Sequence, residues 1–419
     1  MVTVGDYADI IAEKMVFGGD CIAKIDGKTV FVPFAVPGEH LRVQITADER
    51  DFFRARVTEI LRGSPHRTEP FCLLYGKCGG CNMQHIEHEE QRNLRARILK
   101  DAFLREGVET GDVQVVSGSP CGYRCRFQLN DGGLMERRSG NVLDIKSCPV
   151  ATREINKYLA ETEINDRPRG RSHLFASDRI TSIPEGYDKI IIAEESGVRE
   201  RPHTEPRPAK GMRRRKTPRR FEGSVIDPGR ACAVTVCGKT INFDVLGFFQ
   251  SNLEVLEKAV PLIMDGLGGK SALDLYAGCG IFSVFLADRF EKVSLVEHNK
   301  SALVFAEKNM AGLRHESFGV KGDVWVKYHA PGIHAEEDGA ESPFDAVVVD
   351  PPRQGMERQV CRWLCGSGIP RIRSLSCDTA THARDAKFLI RAGYRLEKLF
   401  LLDFYPQTGH IESLAYFSR

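Results

Sequence analysis

No run of apolar residues in this 419-residue chain approaches the roughly 20 that a membrane helix requires. The N-terminus has no basic stretch leading into an apolar core, so no secretory signal is expected and the cytoplasm is the expected compartment. An excess of one charge is lacking as well. The 59 Lys and Arg against 57 Asp and Glu leave a net charge of +2, so any nucleic-acid signal must be local rather than global. There is no repeat of solenoid period. The 13 cysteines are an odd number in a long, unsignalled chain, which argues against a disulfide framework and leaves core filler, metal ligands or nucleophiles as their roles. What remains is 42% hydrophobic and 28% charged, ordinary for a globular protein of two or three domains. We expect a monomer without membrane contact.

Residues 1–64 read as a small all-β module. Strand-like runs fall at Ala8–Ile11, Asp20–Ile25, Thr29–Val32, His40–Ile45 and Ala55–Ile60, with turn signals at Asp26-Gly27 and Pro37-Gly38. Five short strands fit a barrel of the oligonucleotide-binding (OB) kind or another small β domain. Residues 65–244 form a central α+β part. It starts with a cysteine cluster and a helix from His85 to about Glu106, marked by Leu94, Ile98 and Ala102. Inside it, Arg199–Arg220 holds ten Lys/Arg, two Glu and four Pro in 22 residues, too polar to order itself. It reads either as a solvated linker or as an arm for RNA phosphates. Residues 245–419 alternate strand and helix, with strands at Ser271–Leu275, Lys292–Val296, Ala346–Val349, Ile372–Leu375 and Tyr394–Leu402. That is the pattern of a doubly wound, Rossmann-like α/β sheet.

The chemistry-bearing motifs lie at the carboxyl ends of these strands. Asp274-Leu275-Tyr276-Ala277-Gly278-Cys279-Gly280 is a strand running into a glycine loop. Ser283 stands where a dinucleotide fingerprint needs its third glycine, so NAD is disfavoured. Glu297 ends the next strand ~20 residues on, as a ribose-binding carboxylate does. Asp350-Pro351-Pro352 puts a carboxylate and a stiff turn at the same edge. Such a motif also serves amine-directed methyl transfer, but Arg353 follows it here rather than a base-stacking aromatic.

Cys377 ends a strand ahead of a helix whose N-terminus would favour the thiolate. With Glu412 it supplies the two groups needed to methylate an unreactive pyrimidine carbon. A thiolate adds to C6 to activate C5, and a base then removes the C5 proton. His410 is a neighbour or an assistant of that base. Cys72-x5-Cys78-x2-Cys81, with Cys148 in Ser147-Cys148-Pro149, can hold an iron–sulfur cluster or zinc. One short spacing plus a distant Cys-Pro favours a four-iron cluster, and Cys121 and Cys125 compete as fourth ligand.

Taken together, the N-terminal β module, the four cysteines, Phe248-Phe249-Gln250-Ser251-Asn252, the glycine loop, Asp350-Pro351-Pro352-Arg353, Ser376-Cys377 and Pro406-Gln407-Thr408 with Glu412 make the chain resemble the RNA 5-methyluridine methyltransferases. Within them it resembles the iron–sulfur type with an N-terminal TRAM domain, over nearly the whole chain. The resemblance implies S-adenosylmethionine as donor, held by Gln250, Tyr276, Glu297 and Asp350. It implies Cys377 as nucleophile, Glu412 as base, and a 4Fe-4S cluster on Cys72, Cys78, Cys81 and Cys148 in a domain that helps hold RNA. Ribosomal RNA of the large subunit is the expected substrate, with transfer RNA as alternative. Three departures stand out. The basic Arg199–Arg220 stretch reads as an insertion to which the resemblance gives no role. Ile281 replaces a frequent Asn, and Cys377-Asp378-Thr379 replaces Cys-Asn-Pro, where the acidic neighbour is expected to raise the thiol pKa. The competing readings are an amine-directed RNA methyltransferase and a non-catalytic RNA-binding assembly factor.

Overall fold

The computed structural model describes residues 2–195, 228–330, 342 and 344–419; the basic Arg199–Arg220 segment lies outside the described residues. The N-terminal module is a six-stranded sheet ordered Tyr7–Ile11, His40–Asp48, Phe52–Arg62, Lys28–Val32, Cys21–Ile25, Lys14–Met15. Its two edge strands, Tyr7–Ile11 and Lys14–Met15, are separated by only two residues in the chain. Opposite edges joined by so short a link curl the sheet toward a barrel. Leu41, Val43 and Ile45 point inward with period two and are at most 1% exposed. Buried Glu39 holds the barrel to the next segment through Arg67 (2.5 Å).

Six strands running one way and one reversed strand build the C-terminal core. The full sheet runs His315–Phe318, Phe290–Val296, Gly269–Leu275, Ala346–Val349, Arg371–Ser376, Glu412–Ser418, Arg395–Leu402, Gln114–Val116. Glu412–Ser418 is antiparallel to both neighbours, and Gln114–Val116 is added in parallel from the central part. All four residues of Ala346–Val349 are 0% exposed, as expected for a strand covered by helices on both faces. Trp325, Trp363 and Phe344 fill one side. Phe175, Phe243 and Phe249 fill the other, the last two stacked at 4.0 Å.

The central helix His88–Arg105 leans on Thr379–Arg391 and buries Leu94, Leu99 and Phe103 in the same core as the barrel and the large sheet. A smaller core under Phe127, Leu129, Ile155 and Leu174 belongs to the three-stranded sheet Ile190–Glu194, Arg171–Ala176, Arg126–Asn130. Among the described residues no helix is long and apolar enough to cross a membrane.

Candidate active site

The reversed strand brings the two proposed catalytic groups together. Ser376 pairs with Ser413 in an antiparallel register, so the next step of that ladder sets Cys377 against Glu412. Directly opposed residues on such a pair have Cβ atoms about 4.5–5.5 Å apart. Behind them, the Ser413 hydroxyl donates to the Ser376 carbonyl (3.1 Å) and lies 2.7 Å from His382 Nδ1. This clamps the two strand ends to each other. Thirty-five residues apart in sequence, the pair is brought together by the sheet topology.

Cys377 is half-buried. Burial, then the carboxylates of Glu412 and Asp350, push its thiol up to about 11, while the Arg353 guanidinium pulls the other way. The expectation that the following helix would favour the thiolate is therefore outweighed by burial and two nearby acids. The expected effect of Asp378 is not seen either. Its carboxylate caps the helix Thr379–Arg391 by accepting from Thr381 N (2.9 Å), and the groups that raise the thiol are others. Glu412 is 5% exposed, and burial and Asp350 raise its pKa well above the usual carboxylate range. Burial likewise lifts Asp350 to about 7. His410 stands edge-on to the Tyr405 ring, at 5.7 Å. Arg353, which sequence reasoning treated only as the residue after Pro352, faces both catalytic groups; a cation one turn past a strand-end carboxylate was the available signal.

The donor side lies at the carboxyl end of Gly269–Leu275. Tyr276 holds φ +64, a left-handed conformation that costs an aromatic residue about 1–2 kcal/mol and concentrates at functional sites. Its hydroxyl bonds Glu357. Gly280 has φ +76, and a Cβ there would meet Ala306 at 3.1 Å, so the glycine lets the loop lie flat on the next helix. Glu297 is 7% exposed and accepts from the amides of Gly278 (3.0 Å) and Asn299 (2.5 Å), leaving lone pairs for ligand hydroxyls. Asp274 is fully buried, accepts from Ser283 Oγ (2.5 Å), and burial lifts it to about 7. Gln250 Oε1 and Asp274 Oδ1 are buried without a hydrogen-bond partner. Orphaned acceptors at this edge fit a polar ligand that completes them.

The four cysteines meet as well. Cys72, Cys78, Cys81 and Cys148 line one cavity of about 290 Å³ with Arg124 and Phe127. Neither Cys121 nor Cys125 lines it; the Cys125 thiol instead donates to Ser251 O (3.1 Å). Among the described residues no three His, Cys, Asp or Glu converge closely enough to hold a single metal ion. The expected cysteine-ligated group therefore has its four cysteines around one cavity but no preformed ligand set among the described residues. Gly80 N–H points at Cys78 Sγ (3.4 Å), as amides do toward anionic sulfur.

Comparison with known proteins agrees with this arrangement. A TRAM domain model matches residues 2–58, and a tRNA (uracil-5-)-methyltransferase model matches residues 338–419. An uncharacterized RNA methyltransferase of Treponema denticola is 36% identical over 97% of this chain and 98% of its own. The 23S rRNA (uracil(1939)-C(5))-methyltransferase RlmD of Chromohalobacter salexigens is 31% identical over 97% of this chain and 88% of its own. The fold matches the crystal structure of Pyrococcus abyssi tRNA (uracil-54, C5)-methyltransferase in complex with S-adenosyl-L-homocysteine, with a TM-score of 0.67, 22% identity, and 97% of this chain and 99% of that one covered. The chain belongs to the RNA uracil-C5 methyltransferase family and begins with a TRAM domain.

Proposed function

We propose that this RNA uracil-C5 methyltransferase acts on a uridine of large-subunit ribosomal RNA, with Cys377 as nucleophile and Glu412 as base. The observation that carries the assignment of roles is the cross-strand adjacency of Cys377 and Glu412 beside Asp350. The uracil has to leave its stack to reach a half-buried thiol. Cys377, its thiol proton lost to solvent, adds to C6 as the thiolate, which makes C5 an enolate carbon. S-adenosylmethionine, if bound by Gln250, Tyr276, Glu297 and Asp350, would supply the methyl group that C5 takes up, its methyl–sulfur bond breaking to leave S-adenosylhomocysteine. Glu412 then accepts the C5 proton, the C5–C6 double bond re-forms, and the S–C6 bond breaks to release the thiolate. Burial makes Glu412 a stronger base than a solvated carboxylate, which suits a carbon acid. Arg353 offsets the negative charge that Cys377, Glu412 and Asp350 would otherwise concentrate.

We assign a 4Fe-4S cluster to Cys72, Cys78, Cys81 and Cys148, a reading that rests on their sequence spacing and on their lining one cavity. The barrel and the basic Arg199–Arg220 segment are the parts we assign to RNA phosphates. Relatives named for 23S rRNA, matched over 97% of the chain, favour ribosomal RNA. Transfer RNA is the second reading, favoured by the name of the model matching residues 338–419. The two separate in one assay: transfer of labelled methyl groups to unmodified 23S rRNA and to unmodified transfer RNA transcripts, with 5-methyluridine mapped by mass spectrometry. Methylation of transfer RNA alone would overturn the ribosomal assignment.

A further inference from the structure

The loop that precedes Glu412 is fastened from outside its own domain. Asn82, the residue after Cys81, sits at the junction. Its Oδ1 accepts from Gly409 N–H (2.8 Å), and its Nδ2 donates to the carbonyl of Gly18 in the barrel (2.6 Å). The amides of Asn82 and Met83 both donate to the Gln407 carbonyl (3.1 and 3.0 Å). Gln407 itself is 2% exposed with φ +68, and its amide donates to Gln91 Oε1 (3.0 Å). Gly409 packs so closely on the barrel that an added Cβ would come within 2.4 Å of Gly18 C. The chain then reaches Glu412 in three residues. Cys377 shares the Ser376–Ser413 clamp with the strand of Glu412 but is also fixed by its own strand and by the helix that follows, neither of which the Asn82 contacts touch.

We propose that Asn82 is a positioning residue for Glu412, tying the cysteine-bearing loop and the barrel to the base so that proton removal, and not thiol addition, depends on it. The inference rests on Glu412 being the base. A base must stand within about 2.6–3.2 Å of its proton, and a displacement of about 1 Å can cost roughly 100-fold in rate. Thiol addition and methyl uptake precede the base, so a shifted loop should strand the enzyme as a Cys377–C6 adduct carrying the new methyl group.

The test uses full-length Asn82→Ala with S-adenosylmethionine and a 23S rRNA transcript containing ordinary uridine. Covalent protein–RNA complex is followed on denaturing gels and free 5-methyluridine by mass spectrometry. The expected result is adduct formation within about twofold of wild type, with product release down about tenfold or more and methylated adduct accumulating. Asn82→Asp keeps an acceptor for Gly409 N–H but loses the donor to the Gly18 carbonyl, so it should release product faster than Asn82→Ala and slower than wild type. Parallel loss of adduct and product, or no change in either, would each overturn the proposal. Glu412→Gln is run alongside. If it stalls and Asn82→Ala does not, the link alone falls. If Glu412→Gln releases product normally, the base assignment falls and takes the link with it.

Discussion

Cys377 should be alkylated at pH 8 about twentyfold more slowly than an ordinary exposed thiol. With its pKa pushed up to about 11, about one molecule in 1,000 carries the thiolate at that pH, against about one in four for a thiol at about 8.5. That ratio is about 250-fold. A more basic thiolate is a better nucleophile, and a Brønsted slope of about 0.4–0.5 returns about tenfold over this span. Because the protonated thiol is inert, the rate should climb about tenfold per pH unit between pH 8 and 10 and level near the pKa. Glu412→Gln removes the second-largest cause of the shift and should speed alkylation about three- to tenfold. Asp378→Asn should change it less than about twofold, since Asn caps a helix equally well and the Asp378 carboxylate is engaged with Thr381 N. The assay is iodoacetamide labelling resolved by site with mass spectrometry, because none of the 13 cysteines is in a disulfide and several could react. A rate already flat from pH 7.5 upward would refute the argument from burial and paired acids.

Three further perturbations follow from other parts of the molecule. Arg95 and Asp403 form an ion pair at 2.7 Å with 1% and 0% of their side chains exposed, so Asp403→Asn should cost about 3–5 kcal/mol in urea unfolding through the stranded guanidinium. Cys148→Ala should abolish bound iron and acid-labile sulfide while Cys121→Ala keeps both, since only the former lines the cavity; metal and sulfide analysis of the purified proteins decides it. Glu297→Ala should weaken S-adenosylmethionine binding by about 10- to 100-fold, the worth of hydrogen bonds to a charged acceptor, as read by calorimetry.

Much of the fold could be read from local pattern because its strands are of the kinds that leave a mark. The barrel strands alternate, as in Leu41, Val43 and Ile45, and the parallel strands are unbroken apolar runs such as Ala346–Val349. What escaped was determined by partners far away in the chain. Gln114–Val116 is three residues long and largely exposed, and it becomes a strand only by joining Arg395–Leu402. Glu412–Ser418 opens with a carboxylate and looks like a tail, yet it is the inserted strand that sets Cys377 against Glu412. The proposed pair could be named from sequence because the chemistry of C5 demands a thiol and a base, whatever their spacing. Its electrostatics were not. The helix after Cys377 is visible in sequence, but the burial of the thiol and the nearness of Asp350 arise only when three strand ends converge. Asn82 likewise reads as an incidental polar residue in a cysteine loop until Gly18 and Gly409 arrive on either side of it.

The central claim is that Cys377 bonds covalently to C6 of a uracil during methyl transfer. It is tested most directly by incubating wild type and Cys377→Ala with labelled S-adenosylmethionine and 5-fluorouracil-substituted RNA, then sequencing the RNA that stays with the protein under denaturing conditions. Fluorine cannot leave C5 as a proton does, so wild type should accumulate a labelled, denaturant-stable complex and Cys377→Ala none. A folded, donor-binding wild type that forms no complex, or a Cys377→Ala protein that still methylates RNA, would contradict the account.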